Sequence, residues 1–278
     1  MLRPETPRAS FMKLPVWETN RKAYQLVFNG LGHLGTAAFV PFCLNLLIAA
    51  LIQIGSAHNL LSLLLLFLDA VPATIFAVSW HRLVLLGPLN APPRLLPNWS
   101  GYHWRFLSYA LVVGYLVLGV SVLAMIGLGM IVVASDAPAV FVLLVVVFGL
   151  PCAFYPSLRL SLVLPAAAVG VWVGLEDSWR YTRGEGWRFV WVTLMAFLPL
   201  FAFGLINVLA ARADGSSAMG AQDMAIITNI WLLDRVIWAI PSYLSIALTV
   251  TVLSLAFRHR TEWKPPSEAD DRGPVSET

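Results

Sequence analysis

The sequence predicts an all-α fold, a polytopic membrane helical bundle with about six transmembrane helices and additional interfacial amphipathic helices. Of its 278 residues, 59% are hydrophobic and 12% are charged, whereas a soluble domain has about 25% charged residues. The mean hydropathy is +0.77, so too few polar side chains are present to cover a soluble surface. Long, continuously apolar stretches favour helices over membrane strands, which alternate apolar and polar residues. The composition therefore excludes a soluble enzyme domain, a disordered chain and a secreted disulfide scaffold.

Gaps between charged residues define the spans. A helix needs about 20 apolar residues to cross the hydrocarbon core, and the last four gaps are each long enough for one span. The first gap, between Lys22 and Asp69, has 46 residues and is divided by turn-forming residues at Gly55–Asn59. The predicted spans are 34–54, 60–80, 106–133, 139–160, 189–210 and 236–257. They form a single membrane domain at 23–257, between a cytoplasmic N-terminal segment, 1–22, and a disordered cytoplasmic tail, 258–278.

The distribution of lysine and arginine predicts the orientation. With six spans, sixteen of these residues fall on one side of the membrane, and only Arg212 and Arg235 fall on the other. Lys and Arg beside a span are retained in the cytoplasm. We therefore expect both termini to be cytoplasmic.

One segment is too polar to span the membrane and too periodic to be a loop. Apolar residues recur along it at helical spacing, which predicts an interfacial amphipathic helix at about 165–184 that ends near Gly184. The alternative is a connector helix packed on the bundle. A shorter interfacial helix is predicted at Trp17–Phe28. The residues that set the periodicity are Val169, Trp172, Leu175 and Trp179.

Two connections resemble each other. In 76–109 and in 154–192, an Arg ends one span, an apolar run leads to Pro, and Trp-Arg-Phe opens the next span. Both copies have the same orientation, so they indicate a parallel duplication of the kind found in transporters. Chance similarity in a chain rich in Leu and Val is the alternative.

Asp69 is the most informative single residue because it lies near the middle of the predicted second span. A charge at that depth costs about 2.5–3.5 kcal/mol on insertion scales, so such residues often relay protons or coordinate cations. A structural role is the alternative. Asn45 lies ten residues before the Gly55–Asn59 turn and Asp69 ten after it, so an antiparallel hairpin would pair them by a hydrogen bond.

A second candidate site lies at the predicted cytoplasmic interface. Arg82 and Arg159 end two descending spans, where an arginine side chain reaches the lipid phosphates. Together with Trp104 and Trp187 they form a candidate site for anionic lipid headgroups; simple anchoring at the interface is the alternative. Membrane lipids, and another membrane protein, are thus the expected partners. The basic residues belong to this interface, so no nucleic acid is expected.

Several common motifs of enzymes and metal sites are missing from the sequence. It has no HExxH, GxSxG or phosphate-binding GxxxxGK[ST] motif, and its five histidines are scattered. We therefore expect no catalytic activity, no cofactor and no metal site.

The stretches RLSLVLPAAAVG (Arg159–Gly170) and LEDSWRYTRGEGWRF (Leu175–Phe189) resemble a group of six-helix bacterial inner-membrane proteins. This group includes the YciC-like family and the membrane domain fused to some glycerophosphodiester phosphodiesterases. The resemblance implies a bacterial inner-membrane location but no phosphodiesterase activity, because the chain has no room for a soluble catalytic barrel. The matching positions are Arg159, Pro165, Ser178, Trp179, Thr182, Gly184 and Trp187.

These observations favour a non-catalytic integral inner-membrane protein. We expect it to act in envelope or lipid organisation, or as the partner of another membrane protein. The alternative is a small transporter or channel subunit that uses Asp69 within the membrane.

Overall fold

A computed structural model describes residues 13–54, 64, 67–92, 99–135, 154–213 and 224–265. Within these ranges the chain is helical apart from turns and short connections, and no strand is present. The all-α prediction is therefore confirmed. The helices are α1 Val16–Asn29, α2 Leu31–Ile54, α3 Ala70–Asn90, α4 Gly101–Ser135, α5 Val163–Val169, α6 Leu175–Tyr181, α7 Gly186–Ala196, α8 Leu198–Ala213 and α9 Met224–Thr261.

Three helical stretches among the described residues are long and apolar enough to cross a membrane: Leu31–Ile52, Ala70–Asn90 and Arg235–Thr261. The bent pair α7 and α8 makes a fourth if the two helices form one span. Helix α4 includes the predicted span 106–133. Most of the predicted span 139–160 lies outside the described residues.

Helices α3 and α9 form the centre of the bundle. Helix α3 packs against α9, α2, α5 and α4, and α9 also contacts α1, α7 and α8. Large side chains such as Phe76 and Phe257 are fully buried where these helices meet. Two polar contacts fix the α3–α9 register: Trp80 Nε1 donates to Thr251 Oγ1 at 2.9 Å, and His81 Nδ1 lies 2.7 Å from Ser254 Oγ.

The second span was predicted to end at Trp80, whereas α3 continues to Asn90. The charge of Arg82 suggested an interface, and its guanidinium also makes contacts within the protein. It donates to the Ala168 carbonyl at 3.1 Å and lies 4.9 Å from the centre of the Tyr102 ring. Helical geometry breaks only at Gly87, where φ is 80°, a value that favours glycine.

The single amphipathic helix predicted at about 165–184 is divided into two short helices in the structure. Helix α5 ends at Val169, the next five residues are not helical, and α6 begins at Leu175. Gly170 has φ of 80°, and the Val171 amide donates to the Ala166 carbonyl at 2.9 Å. This is the pattern of a glycine-terminated helix, and it overrides the apolar periodicity.

The predicted span 189–210 is bent by 46° between α7 and α8. Pro199 has no backbone N–H to donate to the carbonyl of Met195, and its ring would clash with that carbonyl in a straight helix. The Met195 carbonyl instead accepts a hydrogen bond from Tyr24 Oη at 2.9 Å. The bend is thereby tied to α1.

Segments far apart in sequence meet at one end of the bundle, which we call the basal end; it comprises Leu14, α1, α6, the 182–188 connection and the last turn of α9. The Leu14 amide donates to Glu185 at 3.2 Å, and Arg188 donates to the Leu14 carbonyl at 2.7 Å. Arg260 Nε donates to the Tyr181 carbonyl at 2.8 Å. Both ends of the described chain therefore lie at the same end of the bundle.

The structure agrees with one prediction near the termini and differs from another. A helix was predicted at Trp17–Phe28, and α1 covers that range, so it begins within the segment 1–22; its position in the membrane interface stays a prediction. The tail was predicted to be disordered from Arg258, but α9 continues to Thr261. The ring of Trp263 then lies 6.1 Å from that of Phe257, so packing on the bundle extends the ordered part of the chain. Residues 266–278 lie outside the described ranges.

Candidate functional site

A polar cleft of about 250 Å³ lies between α2, α3 and α9. Its walls are mostly apolar, but they include a carboxylate, a guanidinium, an amide and two hydroxyl groups. Its lining residues are Phe42, Asn45, Leu46, Ala49, Asp69, Ala73, Arg235, Trp238, Ala239, Ser242, Tyr243 and Ile246.

Asn45 and Asp69 meet in this cleft. Asn45 Nδ2 donates to Asp69 Oδ1 at 2.7 Å, so the hydrogen bond expected from the antiparallel arrangement of the two spans is present. Both side chains are partly exposed, so the pair borders the cleft instead of being sealed in the core. Asp69 immediately precedes α3 and does not lie at the middle of that helix.

Helix α9 supplies the other polar groups. Its lining residues begin at Arg235 and recur at alternating intervals of three residues and one residue up to Ile246, which places them on one face of the helix. At 1.5 Å per residue this face is about 16 Å long. The Ser242 hydroxyl donates to the Trp238 carbonyl at 2.7 Å, and the Tyr243 ring packs edge-on to Phe76 with centroids 5.1 Å apart.

Sequence reasoning missed three of these residues as members of the site. Arg235 was assigned only to the loop side of the last span, and Ser242 and Tyr243 were not selected. A signal was present in the sequence, because the three residues share one helical face with spacings of seven and eight. What the sequence did not provide was the packing of that face against Asn45 and Asp69.

The chemistry of the cleft suits recognition of charge. Asp69 and the Asn45 amide oxygen accept hydrogen bonds, while the Arg235 guanidinium donates several. Charged groups in a mostly apolar frame interact more strongly than they would in water. Within the described ranges, no group of three metal-ligating side chains is present.

The structure does not gather the predicted interfacial residues into one surface. Arg159 is buried, with 8% of its surface exposed, whereas Trp104 and Trp187 are 61% and 50% exposed. Arg82 is partly buried against Ala168 and Tyr102. Trp187 packs on Tyr155 with ring centroids 5.3 Å apart. Whether these residues contact lipid headgroups stays a prediction.

Arg159 lies just before α5 and links that part of the chain to α6. Its Nη2 donates to the Trp179 carbonyl at 2.6 Å and its Nε to Thr182 Oγ1 at 3.1 Å. The guanidinium also stacks on the Trp179 ring, 3.7 Å from its centre. Ser178 Oγ donates back to the Arg159 carbonyl at 2.8 Å. We call these four residues the Arg159 network.

The Arg159 network contains four of the seven positions that carry the resemblance to six-helix inner-membrane proteins. A fifth, Gly184, has φ of 79°, a conformation that favours glycine. These positions therefore belong to one structural unit at the basal end. Local packing and backbone geometry account for these five positions.

Comparison of the chain with known protein families, with curated proteins and with solved structures found no match. The resemblance noted from the sequence therefore remains a prediction.

Proposed function

We propose that this chain is a non-catalytic, multi-pass protein of the bacterial inner membrane that binds membrane lipid in the cleft between α2, α3 and α9, and so contributes to envelope or lipid organisation. It has six spans in this proposal, and both termini are cytoplasmic.

The cleft is the observation that carries the proposal. The hydrogen-bonded pair Asn45–Asp69 and the Arg235 side chain border one cavity in an apolar bundle. Ionisable residues inside a membrane protein often mark sites that bind polar or charged molecules. A lipid headgroup is a polar group that is always available in a bilayer.

The orientation follows from the charge distribution. The basal end includes the segments that are rich in arginine and lysine, and such segments stay in the cytoplasm. Protease protection of epitope tags at both termini in inverted and right-side-out vesicles tests it. A tag that is digested only from the periplasmic side would refute the orientation.

Lipid binding is tested by the lipid that stays with the purified protein. We expect native mass spectrometry of the protein, released from detergent, to show bound phospholipid. The double variant Asp69→Asn, Arg235→Gln should lose most of it while its thermal unfolding midpoint stays within a few degrees. Equal retention by both proteins would contradict the proposal.

A transporter or channel subunit is the second proposal, and one observation favours it. Asp69 borders a cavity and is partly exposed, as a group that receives a proton or cation within a membrane must be. Proton flux into vesicles that contain the protein should then be abolished by Asp69→Asn. Flux that is unchanged in this variant would remove the transport function.

A further inference from the structure

We infer that a second lipid site lies at the basal end of the bundle, where Arg105 and Trp172 bind the phosphate and glycerol region of an anionic phospholipid. This lipid belongs to the leaflet at the basal end. The site is separate from the cleft between α2, α3 and α9, and it does not depend on lipid binding in that cleft.

Two pairs of a guanidinium and an aromatic ring meet at one corner of the bundle. The Arg82 guanidinium of α3 lies 4.9 Å from the centre of the Tyr102 ring. The Arg105 guanidinium of α4 lies 5.1 Å from the centre of the Trp172 ring. Tyr102 and Arg105 are one turn apart on α4, so they share a face of that helix. The connection between α5 and α6 completes the corner, because a Cβ on Gly170 would lie only 2.7 Å from the Tyr102 ring.

The charge of Arg105 has no counterion among the described residues. Its guanidinium forms no hydrogen bond or ion pair with them, and it stacks on the ring of Trp172. Stacking uses the face of a guanidinium, whereas its five N–H donors point outwards in the plane of the group. These donors can therefore bind the oxygens of a phosphate in pairs while the contact with the ring is kept.

The neighbouring charges also favour an anion. Arg82 forms no ion pair with a described carboxylate, because its guanidinium donates to a backbone carbonyl and stacks on a ring. On the adjoining helix α6, Asp177 is already paired with Arg180 at 2.6 Å, and Glu176 is exposed. The corner and α6 together therefore carry more guanidinium groups than carboxylates, with Arg105 as the donor that has no polar partner.

The corner lies at the level where α9 becomes charged. His81, which precedes Arg82, lies 2.7 Å from Ser254 of α9, and Ser254 is about one turn before Arg258. Residues 236–257 have no charged side chain, and their length of about 33 Å is close to the roughly 30 Å of the hydrocarbon core. The height of the corner is therefore that of the phosphate and glycerol groups of the adjacent leaflet.

Large aromatic side chains at this corner are exposed. Trp172 is 74% exposed and Trp104 is 61% exposed. Indole rings favour the membrane interface, because their apolar face and their N–H group are both accommodated there. An exposed indole beside a guanidinium with unused donors, at the height of the phosphates, fits a phospholipid better than a soluble anion, which would leave the ring in water.

Binding is tested with the full-length protein in nanodiscs that contain equal amounts of phosphatidylglycerol and phosphatidylcholine with identical acyl chains. The lipid that stays with the protein after transfer to detergent is counted by native mass spectrometry. Arg105→Gln should lower the ratio of retained phosphatidylglycerol to phosphatidylcholine about fivefold, which corresponds to about 1 kcal/mol for one basic residue at an anionic surface. Arg183→Gln is the matched control, because it removes the same charge from an exposed position of the basal end; it should leave the ratio nearly unchanged.

The position of Trp172 is measured independently. In a chain that carries Cys43→Ser and Cys152→Ser, an environment-sensitive fluorophore is attached to Trp172→Cys or to Arg180→Cys. Both positions are exposed, so neither substitution should disturb the fold. In vesicles of the same two lipids, the label at 172 should emit at shorter wavelength and be quenched by lipids that carry a spin label near the glycerol. The label at 180 should emit as it does in water.

The outcomes decide the inference without touching the cleft, whose variants at Asp69 and Arg235 are tested separately. A fall in the lipid ratio that is confined to Arg105→Gln, together with a lipid environment at position 172, supports the site. Equal ratios in the two arginine variants would show that total charge alone attracts the lipid, and would refute it. A label at 172 that emits as in water would place the corner against a soluble anion or another protein, and would refute it as well.

Discussion

Replacement of Arg159 by methionine should be strongly destabilising, although the new side chain has a similar length and is apolar. The substitution removes two hydrogen bonds from a charged donor, to the Trp179 carbonyl and to Thr182 Oγ1, at 2.6 and 3.1 Å. It also removes the stacking on the Trp179 ring at 3.7 Å.

The magnitude follows from these contacts. Each hydrogen bond to a charged group contributes about 1.5–3 kcal/mol, and the stacking about 0.5–2 kcal/mol. The terms are not additive, because the Trp179 carbonyl still accepts a hydrogen bond from Thr182 Oγ1 at 3.1 Å. We expect a loss of about 3 kcal/mol in the free energy of unfolding, which corresponds to about 6–12 °C in the unfolding midpoint.

Thermal unfolding in detergent micelles, followed by intrinsic tryptophan fluorescence, measures the change. Arg180→Met is the matched control on α6, because Arg180 pairs with Asp177 at 2.6 Å on an exposed surface. Such pairs contribute about 0–1 kcal/mol. Arg159→Lys should recover less than half of the loss, since lysine lacks the planar donor group. Equal midpoints for Arg159→Met and Arg180→Met would refute the reasoning.

Two further predictions concern the pH dependence and the packing of the bundle. Burial, with a smaller effect from the charge of nearby Arg82, holds the pKa of His103 below its ordinary value of 6.5, and its Nδ1 accepts from the Ser100 amide at 3.1 Å. The unfolded chain therefore takes up a proton on this ring at a higher pH than the folded protein does, so the folded state loses stability as the pH falls through the ordinary pKa. The unfolding midpoint should drop between about pH 7.5 and 5, and less steeply in His103→Asn. Parallel curves for the two proteins would contradict this prediction. Gly186→Ala should lower the free energy of unfolding by about 1–3 kcal/mol, because the added Cβ would collide with the Tyr155 ring. Gly32→Ala on α2 is the control, since a Cβ there meets nothing within 4 Å. Equal shifts of the thermal unfolding midpoint in the two variants would show that the Tyr155 ring moves aside.

The sequence was most informative where one physical preference dominates. Twenty or more apolar residues without a charge form a helix in any membrane protein, and the candidate spans Leu31–Ile52 and Arg235–Thr261 closely match the predicted 34–54 and 236–257. The pairing of Asn45 with Asp69 could be predicted for a similar reason. Counting residues from a tight turn gives the depth of each side chain in an antiparallel hairpin.

Single charges are less informative about packing. Arg82 and Arg159 were assigned to the lipid interface because they end two descending spans, where an arginine side chain reaches the lipid phosphates. Both donate to backbone carbonyls of α5 or α6, Arg82 to Ala168 and Arg159 to Trp179, and these helices are distant in sequence from Arg82. Only the fold shows which carbonyls are accessible to a guanidinium, so charge alone could not separate an interfacial arginine from a packed one.

The cleft was only partly predictable. Asn45 and Asp69 lie on adjacent predicted spans, and counting residues from Gly55–Asn59 places them at the same depth. Arg235 comes from a helix about 170 residues further along, and its distance from Asp69 depends on how α9 packs against α2 and α3. Long-range packing of this kind leaves no periodic signature in a single sequence.

The contact between Leu14 and Glu185 has a consequence for the order of assembly. The two residues are separated by 171 positions, and a ribosome adds about 5–20 residues per second. Glu185 is therefore synthesised about 9 to 34 s after Leu14, and the contact between them cannot form earlier. The hydrogen bond from Arg260 to the Tyr181 carbonyl forms later still. The contacts of the basal end therefore form late in synthesis, only after the distant segments that they join have both been made.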